Sequence, residues 1–149
     1  MPRLSWQARS DGLYWIDVAL GSRHLSLMMD LGLVDPNDRV AFSLEPAIFN
    51  HLRKTRELTQ LVHQTHRDAS GTYSSTKSGQ LTAQLISPIT RLPVGPAVRL
   101  HVMRGSVGVP NRVGVVFFHH LKGCKVNWDL DNRTWSIDYP SAITAQSAP

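Results

Sequence analysis

The feature that most constrains this chain is the spacing of its turn residues. Its 149 residues include 10 Gly and 9 Pro. These recur along the sequence and cut it into short apolar pieces. A strand is complete in ~5–6 residues, whereas a helix that must be recognised by its period needs ~10–12. The pieces here have strand length. Residues 13–20 are aromatic and β-branched and read as a strand. Gly21 and Ser22 make a turn. Residues 23–29 alternate polar and apolar, then become wholly apolar, as a strand does when it starts half-exposed and ends buried. Residues 39–44, 80–86 and 97–103 alternate in the same way. Residues 113–118 are a continuous apolar run and read as a buried strand, followed by a helical turn over 119–122. Residues 125–130 and 134–139 form a closing hairpin around Asp131 and Asn132.

One helix interrupts this pattern. Pro46 suits a first helical turn, and Ile48, Phe49 and Leu52 give one apolar face, which can be continued through Leu58, Leu61 and Val62. Residues 63–80 are polar and read as a mobile loop or hairpin. There is no internal repeat. The expected architecture is an all-β, closed barrel of short strands with one or two short helices. Residues 1–11 form an N-terminal arm (an edge strand or a loose segment), residues 12–139 the domain, and residues 140–149 a disordered tail.

Composition narrows the partners. Apolar residues make up 42% and charged residues 18%, which is globular and not disordered. A net charge of +5 can draw nucleic acid, but the cations are scattered. The densest cluster, Arg53-Lys54-Thr55-Arg56, has no aromatic residues interleaved as stacking platforms. Nucleic-acid binding by a basic barrel is therefore the weakest of three readings. Cys124 is the single cysteine, which excludes an intrachain disulfide and fits a reducing, cytoplasmic setting. No run approaches the roughly 20 apolar residues of a membrane helix, so no membrane partner is expected.

The stretch with chemical content is Leu27-Met28-Met29-Asp30-Leu31-Gly32-Leu33. An acid at the end of an apolar strand, with glycine two residues on, is either a turn former or a catalytic carboxylate at the floor of a cleft. Asp35 and Asp38 follow closely, but Pro36 between them marks a surface turn. His63-x-x-His66 would share a helical face as a metal half-site, without a third ligand nearby. His119 and His120 are adjacent and diverge, so they do not ligate together. No metal or cofactor is expected, and there is no phosphate loop and no nucleophile elbow.

The order of these parts resembles the retropepsin-like aspartic peptidases, in particular their single-domain bacterial members. The resemblance rests on Met28-Met29-Asp30-Leu31-Gly32-Leu33 and on residues 114–122 followed by 125–129, and it spans about residues 12–139. It implies Asp30 as the catalytic acid and Leu31, Gly32 and Leu33 as the active-site loop. It further implies a flap within residues 70–79, with Ser70, Gly71, Thr72, Tyr73 and Gly79 as candidates. Packing beneath the loop would come from a second motif holding Gly114, Phe117 and Leu121, with either Gly114 or Phe117 at the family's glycine position. Leu31 departs from the family, which carries Thr or Ser there to hydrogen-bond across a dimer; His119 stands where the family often has Asp. A chain with one such triplet would have to supply its two carboxylates as a homodimer acting on an extended peptide. The alternative is a catalytically degenerate domain of the same fold that binds protein without cleaving it.

Overall fold

The computed structural model describes residues 3–33, 35, 39–67 and 73–139. Among them the elements run β1 (Arg3–Gln7), β2 (Trp15–Leu20), β3 (Arg23–Met29), β4 (Val40–Leu44), α1 (Pro46–Lys54), β5 (Thr59–Arg67), β6 (Tyr73–Ile86), β7 (Pro93–Arg104), β8 (Arg112–Val113), α2 (Val115–His119), β9 (Lys125–Asp129) and β10 (Thr134–Asp138). The disordered tail expected over 140–149 lies outside the described residues. No described helix is long and apolar enough to cross a membrane.

The large sheet runs β2-β3-β8-β4-β7-β6, and a further pairing of β2 with β6 closes these six strands into a barrel. Closure leaves β5 as a strand hung on the outside of β6. Most pairings are antiparallel, but β3 with β8 and β4 with β7 are parallel. A small sheet, β1-β10-β9, lies apart. Residues 3–7 are its edge strand, with Leu4 and Trp6 buried. The barrel is filled from alternate positions: Ile16, Val18 and Leu20 of β2, Leu81, Ala83 and Leu85 of β6, and Leu100 and Val102 of β7. Such alternation is what a sheet covered on one face requires.

Helix α2 joins the two sheets. Phe117 packs on Phe42 of the barrel at 5.2 Å between centroids, and Phe118 meets Trp135 of β10 edge-on at 5.9 Å. Trp135 in turn stacks on Trp6 and Trp128 at 4.5 and 5.7 Å. The expected strand over residues 113–118 is thus corrected: only Arg112 and Val113 are strand, and Gly114 opens a helix, α2, that ends at His119, the first residue of the expected helical turn at 119–122. A short, wholly apolar run carries no period, so strand and buried helix look alike in sequence.

The extension of α1 through Leu58, Leu61 and Val62 is also corrected. The helix stops at Thr55, where Arg56 turns left-handed at φ 62°. The Arg56 and Glu57 amides then bond back to the Arg53 and Leu52 carbonyls at 3.1 and 3.0 Å. This is a Schellman stop with arginine where glycine is usual. Leu61 and Val62 belong to β5, and within the polar stretch residues 63–67 and 73–80 are paired strands.

Candidate active site

Asp30 follows β3 directly, and two backbone bonds fix its position. Its amide donates to the Val113 carbonyl at 2.9 Å, extending the β3–β8 ladder, and its carbonyl accepts from the Leu33 amide at 3.1 Å. The side chain completes the turn, with Oδ1 accepting from the Gly32 amide at 2.9 Å. Gly32 is tight against the carboxylate: a Cβ there would lie 3.2 Å from Oδ1. Asp30 is therefore a turn former in geometry and also a fixed, partly exposed carboxylate. The two sequence readings of the triplet are compatible.

The floor beneath this loop is Gly114. Its amide donates to the Ala41 carbonyl at 2.8 Å. A Cβ on it would sit 2.3 Å from the Leu33 carbonyl oxygen, nearer than real contacts come. The backbone of the loop thus rests on a position that only glycine leaves open. Phe117, the other candidate for that role, is one turn further on in α2 and wholly buried; Leu121 is buried just after the helix. Gly114 is the residue against the loop, and Phe117 and Leu121 are core.

Sequence reasoning missed Arg112. Its Nη1 donates to Asp30 Oδ2 at 2.7 Å, across 82 residues of chain. Both side chains are about a quarter exposed (25% and 26%). Its Nη2 reaches Ser43 Oγ at 3.5 Å, and its buried Nε has no partner among the described residues. Both Asp30 oxygens are therefore occupied, one by a backbone amide and one by a charge-assisted bond, which is among the stronger hydrogen-bond types. The only clue in sequence was a cation two residues before Gly114.

Beside the loop lies an apolar cleft of about 520 Å³. Leu13, Tyr14, Met29, Leu31, Trp128 and Leu130 line it. Leu31 is 62% exposed and Leu130 75%, so the cleft is open, and its walls put apolar surface in water next to Asp30.

The remaining candidates fall elsewhere. Ser70, Gly71 and Thr72 lie outside the described residues. Tyr73 begins β6. Gly79 is buried inside β6, where a Cβ would press on Leu61 at 3.0 Å and on the Thr59 carbonyl at 3.2 Å. It is a close-packing glycine within the sheet and not part of a tip. His63 and His66 stand on a strand, so the helical-face pairing does not arise. Asp35 Oδ2 accepts from the Arg39 and Val40 amides at 3.0 and 2.8 Å, as a turn residue does; Asp38 lies outside the described residues. Burial pushes the Cys124 thiol upward, away from reactivity. No cluster of three or more potential metal ligands occurs among the described residues.

No protein-family model and no curated protein matches the chain. Among solved structures, the chain is similar to a retropepsin-like aspartic protease from Rickettsia conorii. The identity is 15% and the TM-score 0.60, over 93% of this chain and 91% of that one. Likeness at this identity establishes architecture: the closed barrel with its two short helices is a retropepsin-like fold.

Proposed function

We propose that this chain is a homodimeric, retropepsin-like aspartic endopeptidase in which each subunit contributes Asp30. The observation that supports the reading is the held geometry of that carboxylate: strand end, Gly32 amide on Oδ1, and the loop seated on Gly114. Two such carboxylates side by side share one proton and titrate as a pair. The ionised one takes a proton from water, which attacks the scissile carbonyl, and the protonated one gives its proton to the carbonyl oxygen. An extended peptide adds as a strand beneath the β5–β6 hairpin. Leu31 offers no hydroxyl for a bond across the dimer, so the paired loops are held by packing and turnover is slow.

The second reading, a peptide-binding domain of this fold without the chemistry, is favoured by one observation: Arg112 occupies Asp30 Oδ2. Cleavage of an unfolded protein by purified material, from acid to neutral pH, separates the two when run beside Asp30→Asn. The peptidase reading expects cleavage that the variant abolishes. Absence of cleavage by a folded dimer at every pH would support the binding domain.

A further inference from the structure

The densest run of cations in the sequence, Arg53-Lys54-Thr55-Arg56, gains neighbours from the outer hairpin. Arg53 stands in the last turn of α1, His63 on β5 and Lys77 on β6. The β5–β6 pairing sets His63 directly opposite Lys77, which brings their Cβ atoms to ~5 Å of each other. Arg53 reaches the same place from the helix. These three basic side chains, with Leu61 and Val62, line one hollow of about 140 Å³.

Nothing in the hollow balances this charge. Its lining holds no carboxylate, and among the described residues none of the three has an acidic partner. Glu57, the described acid nearest Arg53 in sequence, is held elsewhere by the Ser22 amide and the Thr55 hydroxyl. Residues 46–80 carry five Lys or Arg against two acids, so the surrounding segment adds to the positive field. Like charges opposite each other across a sheet destabilise it. Arg53 and Lys77 are half-buried, and the apolar walls limit screening by water. An anion in the hollow relieves that repulsion.

The donor set suits a multiply charged oxyanion. Lys77 offers an ammonium, Arg53 a guanidinium fork, and His63 at least one ring N–H in either protonation state. The fork matches phosphate oxygens two at a time. One water needs ~10–15 Å³ of such space, so a tetrahedral oxyanion fits. No aromatic ring lines the hollow, which leaves a nucleic-acid base nothing to stack on.

We propose that Arg53, His63 and Lys77 form a binding site for a terminal phosphoryl group, free or carried on a peptide side chain, whose occupant bridges α1 and the β5–β6 hairpin. The site does not rest on the peptidase reading.

Titration calorimetry of the full chain at constant ionic strength tests it, with inorganic phosphate in one arm and a short phosphoserine peptide in the other. At least one is expected to bind, and the unphosphorylated peptide is not; whichever phosphate probe binds more tightly identifies the source. Arg53→Gln and Lys77→Gln, each removing one charge-assisted contact, are expected to weaken binding about tenfold or more. Lys122→Gln removes the same charge from an exposed position outside the lining and is expected to leave binding unchanged. Thermal melting separates a site from a scaffold. Without phosphate, Arg53→Gln and Lys77→Gln should melt no lower than the wild type, because each removes a repulsion; with phosphate, each should lose the rise in Tm that the wild type shows. The two variants lie on different elements, so one decides if the other fails to fold. No binding of either phosphate probe by the folded wild type, or equal weakening by Lys122→Gln, overturns the proposal. Binding of a single-stranded oligonucleotide but of neither phosphate probe also overturns it, in favour of a nucleic-acid surface. Asp30→Asn should bind phosphate as the wild type does, so loss of cleavage and loss of this site are read separately.

Discussion

Arg112 determines how available Asp30 is. A carboxylate dyad needs two acids that exchange one proton, and a guanidinium on Oδ2 competes for the oxygen the second acid must approach. In the peptidase reading, replacing Arg112 with the uncharged Met should therefore raise turnover several-fold, measured as kcat on an unfolded substrate. A loss of activity equal to that of Asp30→Asn would instead make Arg112 part of the machinery. Gly114 works through space and not charge. A methyl group 2.3 Å from the Leu33 carbonyl forces the loop or α2 to shift, so Gly114→Ala should cost about 3 kcal/mol, the upper part of the range for overpacking. Urea unfolding measures this directly; an unchanged midpoint would mean that the loop does not rest on Gly114. The turn at Asp30 was legible in the sequence as a local motif, whereas Gly114 stood there only as one of two positions, with Phe117, for the second motif's glycine, and it is the close approach of Gly114 to Leu33 that tells them apart. Arg112 was not legible, because its partner is 82 residues away and nothing local distinguishes it from the other cations of a basic chain.

At the scale of elements, the alternating strands could be read from sequence and the junctions between elements could not. Residues 23–29 became β3 with the bounds their alternation implied. The failures share a cause: the decisive contact was distant, or the usual residue was absent. At α1 the stop uses Arg56 where the rule looks for Gly. Residues 113–118 went wrong because Gly114, extended at φ −100° and ψ 179°, begins a helix without any capping side chain. The end of α1 also carries a pH-dependent tie. Glu57 accepts from the Ser22 amide and the Thr55 hydroxyl, each at 2.6 Å, linking the helix end to the β2–β3 turn. Hydrogen bonds from Ser22, then Thr55, hold its carboxyl below its ordinary value of 4.5. A depressed folded-state value means stabilisation present above the unfolded value and lost as pH falls through the folded one. Thermal unfolding should therefore show the protein losing stability below about pH 4.5, and Glu57→Gln should flatten that acid limb. An identical acid limb in the variant would exclude the tie.

At the scale of the molecule, a barrel and a small sheet are joined through aromatic rings on one short helix. Trp135 touches Trp6, Trp128 and Phe118, so its truncation opens the seam between the layers. Trp135→Ala should cost about 3–5 kcal/mol, as large core aromatics do, and near-UV circular dichroism should lose the coupled tryptophan signal. The all-β barrel was readable because strand-length pieces between turns leave few other solutions. The β9–β10 hairpin was readable as well, but closure of the barrel by β2 on β6 (Val18 opposite Leu85) and the addition of β1 to β10 (Leu4 opposite Ile137) join distant parts of the chain and leave no local mark. Mixing tests most directly the proposal that two subunits share one site. Wild-type and Asp30→Asn subunits are combined in varying proportion at fixed total concentration and allowed to exchange, and cleavage is followed. A shared dyad predicts activity falling as the square of the wild-type fraction, to about a quarter in an equal mixture, because each mixed dimer lacks one carboxylate. A linear fall, to about a half, would contradict the account, since each subunit would then act alone.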